Sequence, residues 1–119
     1  MTIGMTPALV QRLIERLFAE VDRASAIALL ADHAKAARHP EVVRVQIAAL
    51  KLSEGTLEKL RQAIKDAHVD YRDVLAWAEY PAQMHSPVTG LSTDQKTLLI
   101  SADHAQYDVW LRALTEGAT

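Results

Sequence analysis

The sequence predicts an all-α fold: a compact single-domain bundle of about five to six helices, with a long C-terminal helix. Three observations carry this. Alanine and leucine, both strong helix formers, supply 20 and 15 of the 119 residues. Only four glycines and four prolines interrupt the chain. No alternating apolar–polar run flanked by turn residues, and no Asn-Gly or Asp-Gly hairpin pair, competes with that reading.

The first helix starts at Thr6-Pro7, a capping residue followed by a proline whose missing N–H costs nothing in a first turn. Leu9, Val10, Leu13, Ile14, Leu17, Phe18 and Val21 then recur at helical spacing, with Gln11, Arg12, Glu15, Arg16 and Glu20 on the other face. A second helix is predicted over Ala24–Ala37, its many alanines allowing close approach of neighbours. His39-Pro40 ends it, because the residue before proline is pushed out of the α region.

Pro40-Glu41 opens a third helix, apolar nearly all round through Val42, Val43, Val45, Ile47, Ala49, Leu50 and Leu52, with Gly55 as its left-handed terminator. Thr56 caps a fourth, carrying Leu57, Leu60 and Ile64. Asp70 caps a fifth, Tyr71–Tyr80, which Pro81 stops. Residues 82–91, with Pro87 and Gly90, read as a loop, and residues 1–5 as a flexible end. Ser92-Thr93-Asp94-Gln95 is a capping box. It opens a last helix to about Leu114, with Leu98, Leu99, Ala102, Ala105, Val109, Trp110 and Leu114 as its apolar positions.

Composition narrows function by exclusion. With no cysteine, disulfides, thiol catalysis and cysteine metal sites fall away together, which fits a reducing compartment. The start of the chain has neither the basic nor the apolar part of a signal peptide, so a cytoplasmic location is expected. The longest unbroken apolar run, Ala26–Ala31, is far short of the roughly twenty residues a membrane span needs, so no membrane partner is expected. Residues 1–60 carry eight bases and seven acids, and residues 61–119 five bases and eight acids. A helix–turn–helix reading of residues 45–67, with Lys59, Arg61, Gln62 and Lys65 on the second helix, meets Glu54, Glu58 and Asp66 alongside. That balance suits no nucleic-acid backbone.

Motifs for chemistry are sparse. The four glycines build neither a P-loop nor a dinucleotide fingerprint, and no cofactor is implied. His33, His39, His68, His85 and His104 form no H-E-x-x-H pair. His104 and Asp108 share a helical face, but two ligands do not make a metal site.

The most informative segment is Asp70-Tyr71-Arg72-Asp73-Val74-Leu75-Ala76-Trp77-Ala78-Glu79-Tyr80-Pro81, with two of the three tyrosines and one of the two tryptophans. On a helix, Tyr71, Val74, Leu75 and Ala78 converge as a core face. Arg72, Ala76 and Glu79 lie opposite, and Asp73, Trp77 and Tyr80 form a stripe beside the core. Together with Arg44–Gly55 and Leu57–Arg61, and with the aromatic end Tyr107–Leu111, this segment resembles a family of small all-helical bacterial proteins to which no activity is attached. The resemblance implies a bacterial, cytosolic protein and carries no catalytic residue.

Two readings of function remain open. In the first, the chain is a non-enzymatic adaptor or regulatory module binding another protein, or itself, through Arg72, Asp73, Trp77, Glu79 and Tyr80, because Trp, Tyr and Arg anchor interfaces. Met84, His85 and Val88 would border that surface. A homodimer through the wide apolar arc of the first helix, with Phe18 at its edge, belongs to this reading. In the second, Asp73, Glu79, His85, His104 and Asp108 supply acid–base groups to a pocket between the fifth and last helices, making a ligand binder or small enzyme.

Overall fold

A computed structural model of the chain describes residues 5–85 and 90–116. Six helices follow in order: α1 (Pro7–Leu17), α2 (Glu20–Ala36), α3 (Val42–Ser53), α4 (Leu57–Glu79), α5 (Pro81–His85) and α6 (Thr93–Thr115). There is no strand among the described residues. The all-α prediction and the long last helix hold. The expected flexibility of residues 1–5 falls, Met5 apart, outside the described residues, as does Val88.

The caps that the sequence announces are made. Thr6 Oγ1 accepts from the Leu9 N–H at 3.2 Å, and Thr56 Oγ1 from the Lys59 N–H at 3.3 Å. At α6 the Gln95 N–H donates to Ser92 Oγ at 3.1 Å while the Ser92 N–H donates to Gln95 Oε1 at 2.8 Å, closing the capping box.

The first boundary departs from expectation. The α1 helix stops at Leu17, Phe18 is extended (φ −108°, ψ 141°), and α2 begins at Glu20 rather than Ala24. Arg23 causes the early stop. Its guanidinium donates to the Phe18 carbonyl at 3.2 Å and to the Glu15 carbonyl at 3.0 Å, satisfying acceptors that a helix end leaves open. Phe18 consequently drops into the core, and Val21, read from spacing as part of the α1 stripe, is 87% exposed.

The α3–α4 turn uses two left-handed residues, Glu54 (φ 50°) and Gly55 (φ 81°). A Cβ on Gly55 would lie 2.6 Å from the Leu17 carbonyl oxygen, so the turn presses its backbone onto the end of α1. Along α4, Asp70 interrupts the helical dihedrals (φ −156°, ψ 105°) and its carboxylate accepts from the Arg72 N–H at 3.0 Å. The cap read from the sequence is therefore present, and the two helices expected on either side of it, 57–69 and 71–79, meet at a kink with no loop between them.

Pro81 does not simply stop the second of these segments. It starts α5, so residues 82–85, expected as loop, are helical. The cause is remote: fully buried Asp103 of α6 accepts from the Ala82 N–H at 2.7 Å, from the Gln83 N–H at 3.2 Å and from Gln83 Nε2 at 2.8 Å. A carboxylate facing a first helical turn is favourable for both hydrogen bonds and dipole.

Two clusters form the core, and α3 belongs to both. Ile47, Ala49 and Leu50 join Leu9, Leu13, Ile14, Phe18, Leu30, Leu60, Tyr107 and Leu111. Val45 and Ala48 join Ala67, Val74, Leu75 and Ala78. The arc of α1, considered above as a dimer surface, is thus used inside the molecule. On α6 the inward residues are Asp103, Tyr107 and Leu111, whereas Leu98 and Val109, read among its apolar positions, are 69% and 65% exposed. Among the described residues no helix is long and apolar enough to cross a membrane.

Candidate functional site

The break at Asp70 divides α4 into two segments, and two clefts border it, each lined by residues of both segments. In the first, the end of α2 and the turn after it meet the middle of α4 around a volume of about 510 Å³. Its walls include His33, Arg38, His39, His68, Tyr71 and Arg72. Three imidazoles gather here: the His33 ring centroid lies 5.6 Å from that of His68 and 6.1 Å from that of His39. His39 stacks on Tyr71 at 4.0 Å, nearly parallel. Its Nδ1 accepts from the Glu41 N–H at 3.1 Å, so the neutral ring carries its proton on Nε2.

His33 is the unusual member. It is 2% exposed, and its Nδ1 has no hydrogen-bond partner among the described residues. Burial pushes its pKa below the ordinary histidine value, and the nearby His68 and His39 push it further the same way. At the rim, Arg72 pairs with Asp70 at 3.0 Å and holds that carboxyl below its usual range. Among the described residues no group of three or more His, Asp or Glu side chains is placed to hold a metal ion.

In the second, Leu52, Asp66, Val69, Asp73, Val74 and Trp77 line a groove of about 480 Å³. Val69 is 85% exposed and Trp77 41% exposed, both large apolar side chains facing solvent. The His85 ring meets Trp77 edge-on at 5.0 Å, so α5 braces the indole. The charged members of this lining are both carboxylates.

The residues singled out from sequence separate accordingly. Arg72, Asp73 and Trp77 are exposed, and Tyr80 is half-buried. Glu79 corrects the helical-wheel reading: it faces inward, 7% exposed, because Arg44 of α3 meets it with two hydrogen bonds, the Nε–Oε2 one at 2.9 Å. That hydrogen bonding raises the Arg44 pKa against a smaller opposing effect of burial. Glu79 is therefore a structural ion-pair partner under the surface, not part of it. Nearby, burial and the Glu79 charge raise the Tyr107 pKa, and the Tyr107 hydroxyl has no hydrogen-bond partner among the described residues.

The proposed acid–base set is dispersed. Glu79 is held by Arg44, Asp108 by Arg112 at 2.8 Å, His85 rests on Trp77, and His104 is exposed. Of the five, only Asp73 lines either cleft. Sequence reasoning missed the histidine cluster, whose members come from α2, the following turn and α4. It also missed Asp103, whose partners lie some twenty residues upstream. Neither carries a local spacing signal.

Comparison with protein-family models, with curated proteins and with solved structures gives no match to this chain.

Proposed function

We propose that this chain is a non-enzymatic interaction module, an adaptor or regulatory subunit, whose docking surface is the groove between Leu52 and Trp77. The observation that carries the reading is the exposure of Val69 and Trp77 on either side of a recess bordered by Asp66 and Asp73. Large exposed apolar side chains around a concavity mark interaction sites, and tryptophan is the commonest anchor. The two carboxylates favour a partner segment that places an apolar side chain in the groove beside a lysine or arginine. The cysteine-free composition suits work in a reducing compartment, and we place the protein in the cytoplasm.

The test is a cross-linked capture from the native host, with the photoreactive group at Val69. A partner lost on both Trp77→Ala and Asp73→Lys, with helicity retained by circular dichroism, supports the reading. Capture that neither substitution changes sinks it.

One observation favours a second reading, a small-molecule binder. The unpartnered nitrogen of buried His33 borders a cleft with a ready aromatic shelf in His39 and Tyr71. A ligand seated there would shift the imidazole resonances of His33 and His68 together in a fragment titration. Fragments that leave both resonances unmoved count against it.

A further inference from the structure

The α6 helix has a buried side and, opposite it, an exposed apolar stripe. Its inward side is Asp103, Tyr107 and Leu111. Leu98, Ala102, Ala105 and Val109 are all exposed and follow one another at steps of four, three and four residues. At about 100° per residue they fall on one stripe, roughly opposite the inward side. A helix with one buried face ordinarily turns charged and polar residues to water. Here the outward stripe has the step pattern of a two-helix seam, with small residues in the middle that let backbones come close.

We propose that this stripe is a self-association surface on which α6 of a second copy lies antiparallel. The order of the residues argues for the second copy as occupant. A two-fold axis between Asp103 and His104 sets Leu98 against Val109 of the other copy and Ala102 against Ala105, each large residue facing a large one and each alanine an alanine. The same axis places Gln95 opposite Arg112, so the ends of the seam oppose no like charges. An isologous contact requires just this self-complementarity. Antiparallel helices also oppose their dipoles favourably. The paired length, Gln95 to Arg112, covers roughly 25 Å of helix and buries roughly 1,000 Å² in total, the floor for a specific interface. An interface at that floor makes the association weak and concentration-dependent. This surface is separate from the Trp77 groove, and its fate does not decide that reading.

Sedimentation equilibrium of the full chain, from about 1 μM to about 1 mM, is the first measurement. A monomer–dimer equilibrium that Ala102→Glu weakens at least about tenfold, with unchanged circular dichroism, is the expected result. The chain has no cysteine, so register can be read directly. Under mild oxidation, Leu98→Cys mixed with Val109→Cys gives the mixed disulfide in preference to either self-disulfide, because two copies of position 98 lie about 16 Å apart along the seam. A chain monomeric throughout, a dimer indifferent to Ala102→Glu, or preferred self-linkage of Leu98→Cys each overturns the proposal.

Discussion

Arg44 on α3 and Glu79 on α4 form a two-pronged ion pair across 35 positions of sequence, and its two ends are unequally wet. The Arg44 side chain is 36% exposed and that of Glu79 only 9%. Removing one partner of a buried pair is costly because the other charge stays buried alone. The cost therefore depends on which partner goes. Arg44→Met strands the carboxylate and should destabilise by about 3 kcal/mol. Glu79→Gln leaves a guanidinium that still reaches water and should cost about 1 kcal/mol. Urea denaturation of the two variants checks this, and equal losses would show that the burial difference has no energetic consequence.

Asp103 ties three donors of the α5 start to α6, and α5 in turn places His85 against Trp77. Asp103→Ala leaves those donors without their acceptor and should cost about 2–4 kcal/mol. Its local signature is more telling than its magnitude. Hydrogen exchange at the Ala82 and Gln83 amides should rise, and the Trp77 indole resonance should move toward its solvent-exposed position while Trp110 stays put. An unmoved Trp77 signal would mean that the indole is not braced through α5.

What the sequence made legible was whatever is encoded locally. Thr6, Thr56, Asp70 and the Ser92–Gln95 box cap helices through residues two or three positions away, so their partners are visible in the string. The errors arose where a distant residue decides. Arg23 ends α1 by reaching back to the Glu15 and Phe18 carbonyls, and Asp103 turns an expected loop into α5. The sequence reading puts Glu79 opposite the core face, but at about 100° per residue it stands only a quarter turn from that face, at the boundary, where Arg44 draws it inward. The candidate surface was legible in part: Asp73 and Trp77, four positions apart on one stripe of α4, both line the groove. Val69 and the histidine cleft appear only once α2, α3 and α4 are packed.

His33 gives the fold a pH dependence of definite sign. Burial and the two neighbouring imidazoles lower its pKa in the folded state below the ordinary histidine value. Between that lowered value and the unfolded one, the unfolded chain binds more protons. Stability from neutral His33 is therefore full above the unfolded pKa and is lost as pH falls through the unfolded value toward the folded one. Urea midpoints compared at about pH 7.5 and about pH 5 should drop for the natural chain, and His33→Leu should reduce the drop by removing the group that must charge. The carboxylates contribute equally to both proteins, so the difference isolates the histidine. A drop unchanged in His33→Leu would place the effect elsewhere.

Gly55 and Gly90 separate steric from conformational demand. Both have positive φ, 81° and 87°, but a Cβ at Gly55 would meet the Leu17 carbonyl oxygen at 2.6 Å, while one at Gly90 meets nothing within 4 Å among the described residues. Gly90→Ala carries only the left-handed penalty for a residue with a side chain, about 1 kcal/mol. Gly55→Ala carries that and a clash with backbone, which yields only if the α3–α4 turn lifts off the end of α1. Its loss should be at least about 3 kcal/mol. Because Phe18 enters the core one residue beyond Leu17, lifting the turn also loosens its seat, and Gly55→Ala should weaken protection of the amides at the end of α1. Thermal denaturation of the two variants side by side decides the matter: similar losses would mean that the close approach at Leu17 relaxes without effort and that Gly55 is required for its dihedral alone.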